Sequence, residues 1–251
     1  MPRGRLLEEK VALITGAGSG QGRAAALLFA EHGAQIAVVD MNADSALATA
    51  QMLGDAGHVI VADVSRRPDC DAMVAETIAH FGRLDVLYNN AAVQMSGRLV
   101  ECTEDEWDLT IATNLSAIFW ACRAALPHLH DNGGGSIINT ASTLGLIGSE
   151  GYAAYGAAKA GLVALTRQIA TEHGPDVRAN VIAPGSIDTP RFQKVTNADP
   201  TILPMLFEHL PLKRLGTADD IAKVALFLAS DESGYTSGAV VPVDGGLAAL
   251  R

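Results

Sequence analysis

Lysine is scarce in this chain, with five in 251 residues, and acidic residues outnumber basic ones 28 to 18 for a formal net charge of −10. A protein that tracks nucleic-acid phosphates needs a basic stripe, and none can be drawn here, so nucleic acid is set aside as a partner. Cysteine is scarce too. Cys70, Cys102 and Cys122 are odd in number and form no Cys-x-x-Cys pair. A disulfide framework and a cysteine zinc site both drop out, and a reducing, cytoplasmic setting is expected. The seven histidines offer no metal site, because His128 and His130 point to different sides of a helix and no carboxylate stands at a ligand spacing. No apolar run reaches the length of a membrane span; the run at 24–30 is stopped by Glu31. The opening MPRGRLLEEK has two glutamates and a lysine where a signal peptide needs an apolar stretch. Repeats, low-complexity tracts and Pro/Ser linkers are missing as well, so residues 1–251 read as one domain.

What is present is core material: 49% of residues are hydrophobic and 18% charged. Short β-rich runs alternate with longer helical ones. The strand candidates are Val11–Thr15, Gln35–Asp40, 58–62, 84–89, 136–141, 177–183 and 239–243. Helices are expected at 22–32, Ala43–Leu53 and 69–81, the last with Met73, Thr77, Ile78 and Phe81 on one face. The strands are apolar almost throughout, as strands buried on both faces are. Alternating β and α units imply right-handed crossovers and an α/β, three-layer, doubly wound fold around a seven-stranded parallel sheet. One segment breaks the rhythm. Residues 188–217 hold four prolines and scattered hydrophobes such as Phe192, Met205 and Phe207, and are read as a substrate-binding loop or lid.

VALITGAGSGQGRAAALLFAEHG reads as strand, glycine turn and helix. Gly16, Gly18, Gly20 and Gly22 let the backbone approach a ligand closely, and the helix N-terminus after them suits a pyrophosphate. The next strand ends in Asp40, where an acidic residue would hold the adenosine ribose. A carboxylate there would repel a 2′-phosphate by roughly 4 kcal/mol at close range. Met41 and Asn42 follow it and Ser19 stands in the turn, so no cation offsets that repulsion. The expected cofactor is NAD rather than NADP.

Tyr155 and Lys159 stand four apart in a helix-forming stretch, hence on one face, one turn from each other. Free phenol and ammonium groups titrate near 10 and about 10.4, so neither is a useful base alone; a cation beside the phenol favours the phenolate. That moves tyrosine toward general acid–base work. Tyr152 lies seven residues from Lys159 and is better placed to line a pocket. For a hydroxyl partner, the residues alone leave Ser142, Thr143 and Ser149 open.

Taken together these features resemble the short-chain dehydrogenase/reductase family in its form of about 250 residues, with its Rossmann fold, over nearly the whole chain. Its Thr-Gly-x-x-x-Gly-x-Gly is matched by Thr15, Gly16, Gly20 and Gly22, its adenine-contacting aspartate by Asp63, and its Asn-Asn-Ala-Gly by Asn89, Asn90, Ala91 and Ala92. Its helix asparagine is matched by Asn114, its serine by Ser142 and its Tyr-x-x-x-Lys by Tyr155 and Lys159. Pro184-Gly185, with Thr189 four residues on, looks like the nicotinamide-carboxamide segment. Gln21 and Ala92 depart from the usual Ile and Gly.

The resemblance implies a catalytic set of Asn114, Ser142, Tyr155 and Lys159. Tyr155 would move the substrate proton, Lys159 would lower its pKa and hold the nicotinamide ribose, Ser142 would bind the substrate oxygen, and Asn114 would hold a relay water. It implies a cofactor cradle of Gly16, Ser19, Gly20, Gln21, Gly22, Asp40, Met41, Asp63 and Val64. Asn90, Ala91, Tyr155, Lys159, Pro184, Gly185, Ile187 and Thr189 would complete it. Beside the catalytic segments, Val93, Leu144, Ile147 and Tyr152 would line the substrate pocket, with Ser186, Phe192 and Met205. These are mostly apolar and suit a hydrophobic or cyclic secondary alcohol as the small-molecule substrate. The apolar helix at 109–129 and the tail DGGLAALR would be subunit contacts of a homotetramer or homodimer. Two rival functions are an NADPH-dependent 3-oxoacyl-acyl-carrier-protein reductase and a dinucleotide-sensing regulator without catalysis.

Overall fold

The computed structural model describes residues 5–250. The first four residues of the opening stretch and Arg251 of the DGGLAALR tail lie outside the described residues. The strands are β1 (Val11–Thr15), β2 (Gln35–Asp40), β3 (Gly57–Val61), β4 (Val86–Asn89), β5 (Gly135–Thr140), β6 (Val177–Pro184), β7 (Ile187–Asp188), β8 (Gly216–Thr217) and β9 (Val240–Val243). Seven of them form one parallel sheet in the order β3-β2-β1-β4-β5-β6-β9. β7 and β8 form a separate two-residue parallel ladder.

The sheet is buried on both faces because alternate strand residues feed two apolar cores. Leu13, Val39, Leu87 and Ile137 join one core with the helices α3 (Arg67–Phe81), α5 (Ala117–Asp131) and α6 (Ala153–His173). Their chain neighbours Ile14, Val38, Tyr88 and Ile138 join the other, with α1 (Gly20–Glu31), α2 (Ala43–Leu53) and α9 (Ala218–Ala229). Strand order reverses between β1 and β4, so a crevice opens at the carboxyl ends of these strands, the place where such sheets bind ligands.

Differences from the sequence reading have local causes. The strand expected at 84–89 begins at Val86, and the Asp85 carboxylate just before it accepts the Val11 N–H at 2.9 Å and pairs with Arg83. The expected 109–129 helix is longer and broken. α4 (Glu104–Ile111) starts on a Thr103–Glu106 capping box and runs through a π-helical turn, Ala112–Ser116, into α5. By length and composition this combined helix, Glu104–Asp131, could cross a membrane, which the reading of short apolar runs passed over. Half of its most apolar window is buried inside the fold, against the sheet. Segment 188–217 is also more ordered than a loop: it holds α7 (Pro190–Ala198) and α8 (Ile202–His209), and the β7–β8 ladder ties its two ends together.

Candidate active site

The segments after β1, β2, β3, β4, β5 and β6 lie at the carboxyl edge of the sheet. β1 ends at Thr15 and the chain turns at Gly16, whose φ of +66° is left-handed. Ser19 caps α1 without a side-chain bond, and no acid occupies the first turn. The first N–H groups of α1 and its positive dipole end are therefore open to an anion. A Cβ at Gly22 would lie 2.2 Å from the Gly16 carbonyl oxygen, so this approach of helix to turn requires glycine. Gln21 is half-buried in the same turn.

Asp40 stands at the end of β2 with its carboxylate anchored. It accepts the Gly18 N–H at 2.9 Å and the Asn42 N–H at 3.0 Å. Met41 beside it is 70% exposed. Thr15 ties the glycine turn to the segment after β4, accepting N–H bonds from Asn90 at 3.0 Å and Ala91 at 3.1 Å. After β3, Asp63 accepts bonds from the Ser65 N–H and hydroxyl, and the Val64 carbonyl accepts the Cys70 thiol. At the end of β6, the Pro184 carbonyl accepts the Thr143 hydroxyl and the next residue's N–H, that of Gly185, donates to Val243. Ile187 is buried in β7, and Thr189 caps α7 directly over the turn, its methyl 3.5 Å from where a Gly20 Cβ would stand. This set fits a dinucleotide: open N–H groups for phosphate, a carboxylate for ribose hydroxyls, and a backbone cradle that side chains would fill.

Asn114, Ser142, Tyr155 and Lys159 all lie within a shell less than a tenth exposed. Tyr155 and Lys159 face β5 from α6. The Lys159 Nζ donates to the Thr140 carbonyl at 2.7 Å and lies 5.7 Å from the Tyr155 ring centroid. Ser142, just past β5, stands at the Tyr155 phenol, whose pKa its hydroxyl lowers, and accepts the Leu144 N–H at 3.2 Å. Thr143 bonds Pro184 instead, so of the hydroxyls left open by the residues alone it is Ser142 that meets the phenol. Asn114 sits in the π turn, and its amide grips Val93 from both sides, donating to the Val93 carbonyl at 2.9 Å and accepting its N–H at 3.2 Å. Such turns place side chains where a regular helix would not.

The electrostatics differ from the expectation that Lys159 sets the phenol. Burial raises the Tyr155 pKa above its ordinary value, and the groups that pull it down are Arg191 and the Ser142 bond. Burial, with the Arg191 charge, lowers Lys159 to about 7. Arg191 was missed by the sequence reading, where it is one cation in an irregular segment. The fold brings it over the site from α7, with Nη1 donating to the Ala92 carbonyl at 3.2 Å.

Of the expected pocket residues, Val93, Leu144, Ile147, Tyr152, Ser186 and Phe192 are half-buried. The Tyr152 ring lies edge-on to Tyr155 with centroids 6.5 Å apart. Met205 is 62% exposed on α8. Among the described residues, no cluster of three His, Cys, Asp or Glu side chains could hold a metal.

Comparison with known proteins bears on this geometry. A family model described as Enoyl-(Acyl carrier protein) reductase matches residues 16–248. The chain is 40% identical over 244 residues to the hydroxy(phenyl)methylsuccinyl-CoA dehydrogenase subunit BbsD of Thauera aromatica, covering 96% of this chain and 97% of that one. It is 39% identical over 246 residues to the 3-oxoacyl-(acyl-carrier-protein) reductase FabG of Thermotoga maritima, covering 96% and 98%. Among solved structures, levodione reductase superposes with a TM-score of 0.93 at 35% identity, over 98% of this chain and 100% of that one.

Proposed function

Since the chain belongs to the short-chain dehydrogenase/reductase family of nicotinamide-dependent oxidoreductases, we propose that it interconverts a secondary alcohol and the corresponding ketone, with NAD as cofactor. The observation that carries this reading is the buried Ser142–Tyr155–Lys159 cluster at the mouth of the strand-order crevice. The bound dinucleotide supplies or accepts the hydride. In oxidation the Tyr155 oxygen takes the hydroxyl proton. Ser142 donates to the substrate oxygen and stabilises charge developing on it. Lys159, held by Thr140 and titrating near neutral pH, passes protons on from the phenol. Asn114 fixes the Val93 segment on the far side of the pocket, with one lone pair and one N–H left for a relay water. The test follows reduced-nicotinamide absorbance with NAD or NADP across secondary alcohols, cyclic diols, hydroxysteroids and sugars; silence with every alcohol while NADH binds would turn the assignment toward a dinucleotide sensor.

The apolar lining from Val93, Leu144, Ile147 and Phe192 favours a hydrophobic or cyclic alcohol. A second reading, an acyl-carrier-protein reductase using NADPH, draws on the FabG relative. Asp40 opposes the 2′-phosphate that reading needs.

Ser142→Ala gives a pH signature. The hydroxyl bond lowers the phenol pKa, so its loss leaves burial less opposed and raises that pKa further. Oxidation needs the phenolate, so the rising limb of kcat/KM against pH moves to higher pH, with a rate loss of about 10²-fold at neutral pH. An unmoved limb would remove Ser142 from the mechanism.

We also infer a homotetramer. Leu109 and Phe119 are 42% and 44% exposed on the α4–α5 helix, and Phe119 lines a groove of about 260 Å³ with Leu115, Ser116, Trp120 and Leu165. Light scattering should give a mass near four times 26.1 kDa; a monomer at micromolar concentration would overturn this. The cytoplasm is the proposed compartment, where free Cys70, Cys102 and Cys122 stay reduced, and cell fractionation checks it.

A further inference from the structure

Arg191 is the cation that the mechanism above leaves without a task. In a chain with 28 acidic residues, none of the described carboxylates pairs with it. Asp188, three residues earlier, accepts a bond from Gln193 at 2.9 Å instead. The guanidinium carries five N–H donors in a flat fork, and the one bond found for it goes to the Ala92 carbonyl at 3.2 Å. That bond sets it on the lip of the pocket, between α7 and the segment after β4, next to Val93 and Phe192. Its charge acts on both Tyr155 and Lys159. An exposed guanidinium with no carboxylate partner among the described residues, held beside the segment that carries Val93, is suited to one chemistry above others, the two-point binding of a carboxylate.

We propose that Arg191 anchors an anionic group of the substrate, and that the substrate is a secondary alcohol or ketone whose apolar or cyclic body carries a carboxylate near the reacting carbon. This deepens the dehydrogenase reading and rests on it. The carboxylate is not consumed: oxidation moves a hydride from the carbinol carbon to the nicotinamide and the hydroxyl proton to Tyr155, and Arg191 holds the anion throughout. Its role is position and selection.

The test starts with binding, which needs no turnover. Calorimetry would compare cyclohexanecarboxylate with cyclohexanecarboxamide on the NADH-loaded protein. The carboxylate should bind more tightly by about 10-fold or more. Arg191→Leu and Arg191→Gln should both erase that preference, and Arg191→Lys should keep part of it, since lysine retains the charge and loses the fork. Turnover of a hydroxycyclohexanecarboxylate and its methyl ester would follow, with the acid-to-ester ratio of kcat/KM falling in Arg191→Leu mainly through KM. A preference that survives in both neutral variants, or no measurable carboxylate binding, would overturn the proposal. The dehydrogenase reading fails separately. If carboxylate preference is present and no alcohol is oxidised, that reading falls while the anchor stands; if neutral alcohols turn over and Arg191 has no effect on selectivity, the anchor falls alone.

Discussion

Tyr155→Phe is expected to lower kcat for alcohol oxidation by about 10³-fold, the scale of a lost general base that also organises its neighbours. NADH should still bind. The substitution removes one oxygen from a ring that is 5% exposed and packed against Tyr152, so the apolar contacts of α6 persist. What disappears is the interaction of the phenol oxygen with the Ser142 hydroxyl. Tyr152→Phe is the matched control: it removes a phenol of the same helix start, which caps α6 and bridges to Gly97 through its backbone, and should cost less than about 10-fold. Stopped-flow or steady-state rates with a single alcohol decide the matter. If Tyr155→Phe retains more than half of the activity, or if the two variants fall equally, the phenol is not the base.

The order of strands was legible because a parallel sheet buried on both faces writes itself as uninterrupted apolar runs. VALIT and QIAVVD match β1 and β2 residue for residue. The glycine turn was equally legible, since positions 16 and 22 tolerate no Cβ without moving the backbone. Three features escaped, each for a physical reason. The π turn holding Asn114 is a defect of one residue in a long amphipathic run, and period counting averages over it. The helices α7 and α8 are short and proline-bounded, so their propensity signal is weak, and what closes them off is the remote pairing of Ile187 with Gly216. The Tyr155–Lys159 electrostatics depend on burial depth and on Arg191, thirty-six residues further along than Tyr155 in sequence (191 − 155) and invisible to any local spacing rule. Sequence spacing put the cation and the phenol on one helix face. Only the fold says that burial dominates both groups in the chain on its own.

Asp40 carries the second large effect. NAD should exceed NADP in kcat/KM by about 10²- to 10³-fold, the span left when a repulsion of roughly 4 kcal/mol is discounted for partial solvent access. The carboxylate cannot easily swing aside, because both oxygens are engaged, one by the Gly18 N–H and the other by the Asn42 N–H. The turn itself packs tightly on that carboxylate. A Cβ at Gly18 would meet the Asp40 carboxylate at 2.7 Å and the Ser45 hydroxyl at 2.5 Å, so only glycine lets the turn pass this close to the carboxylate. A cation does stand nearby, yet Arg23 directs its guanidinium to the Gly18 carbonyl and to Thr49 Oγ1, beneath the turn rather than over the ribose. Asp40→Ser keeps a short acceptor for the turn and removes the charge. It should bring NADP to within about 10-fold of NAD, chiefly by raising the NADP rate constant and only slightly by lowering the NAD one. Equal use of the two cofactors by the unsubstituted protein would mean that Arg23 leaves Gly18 to meet the phosphate, and the discrimination assigned to Asp40 would then be wrong.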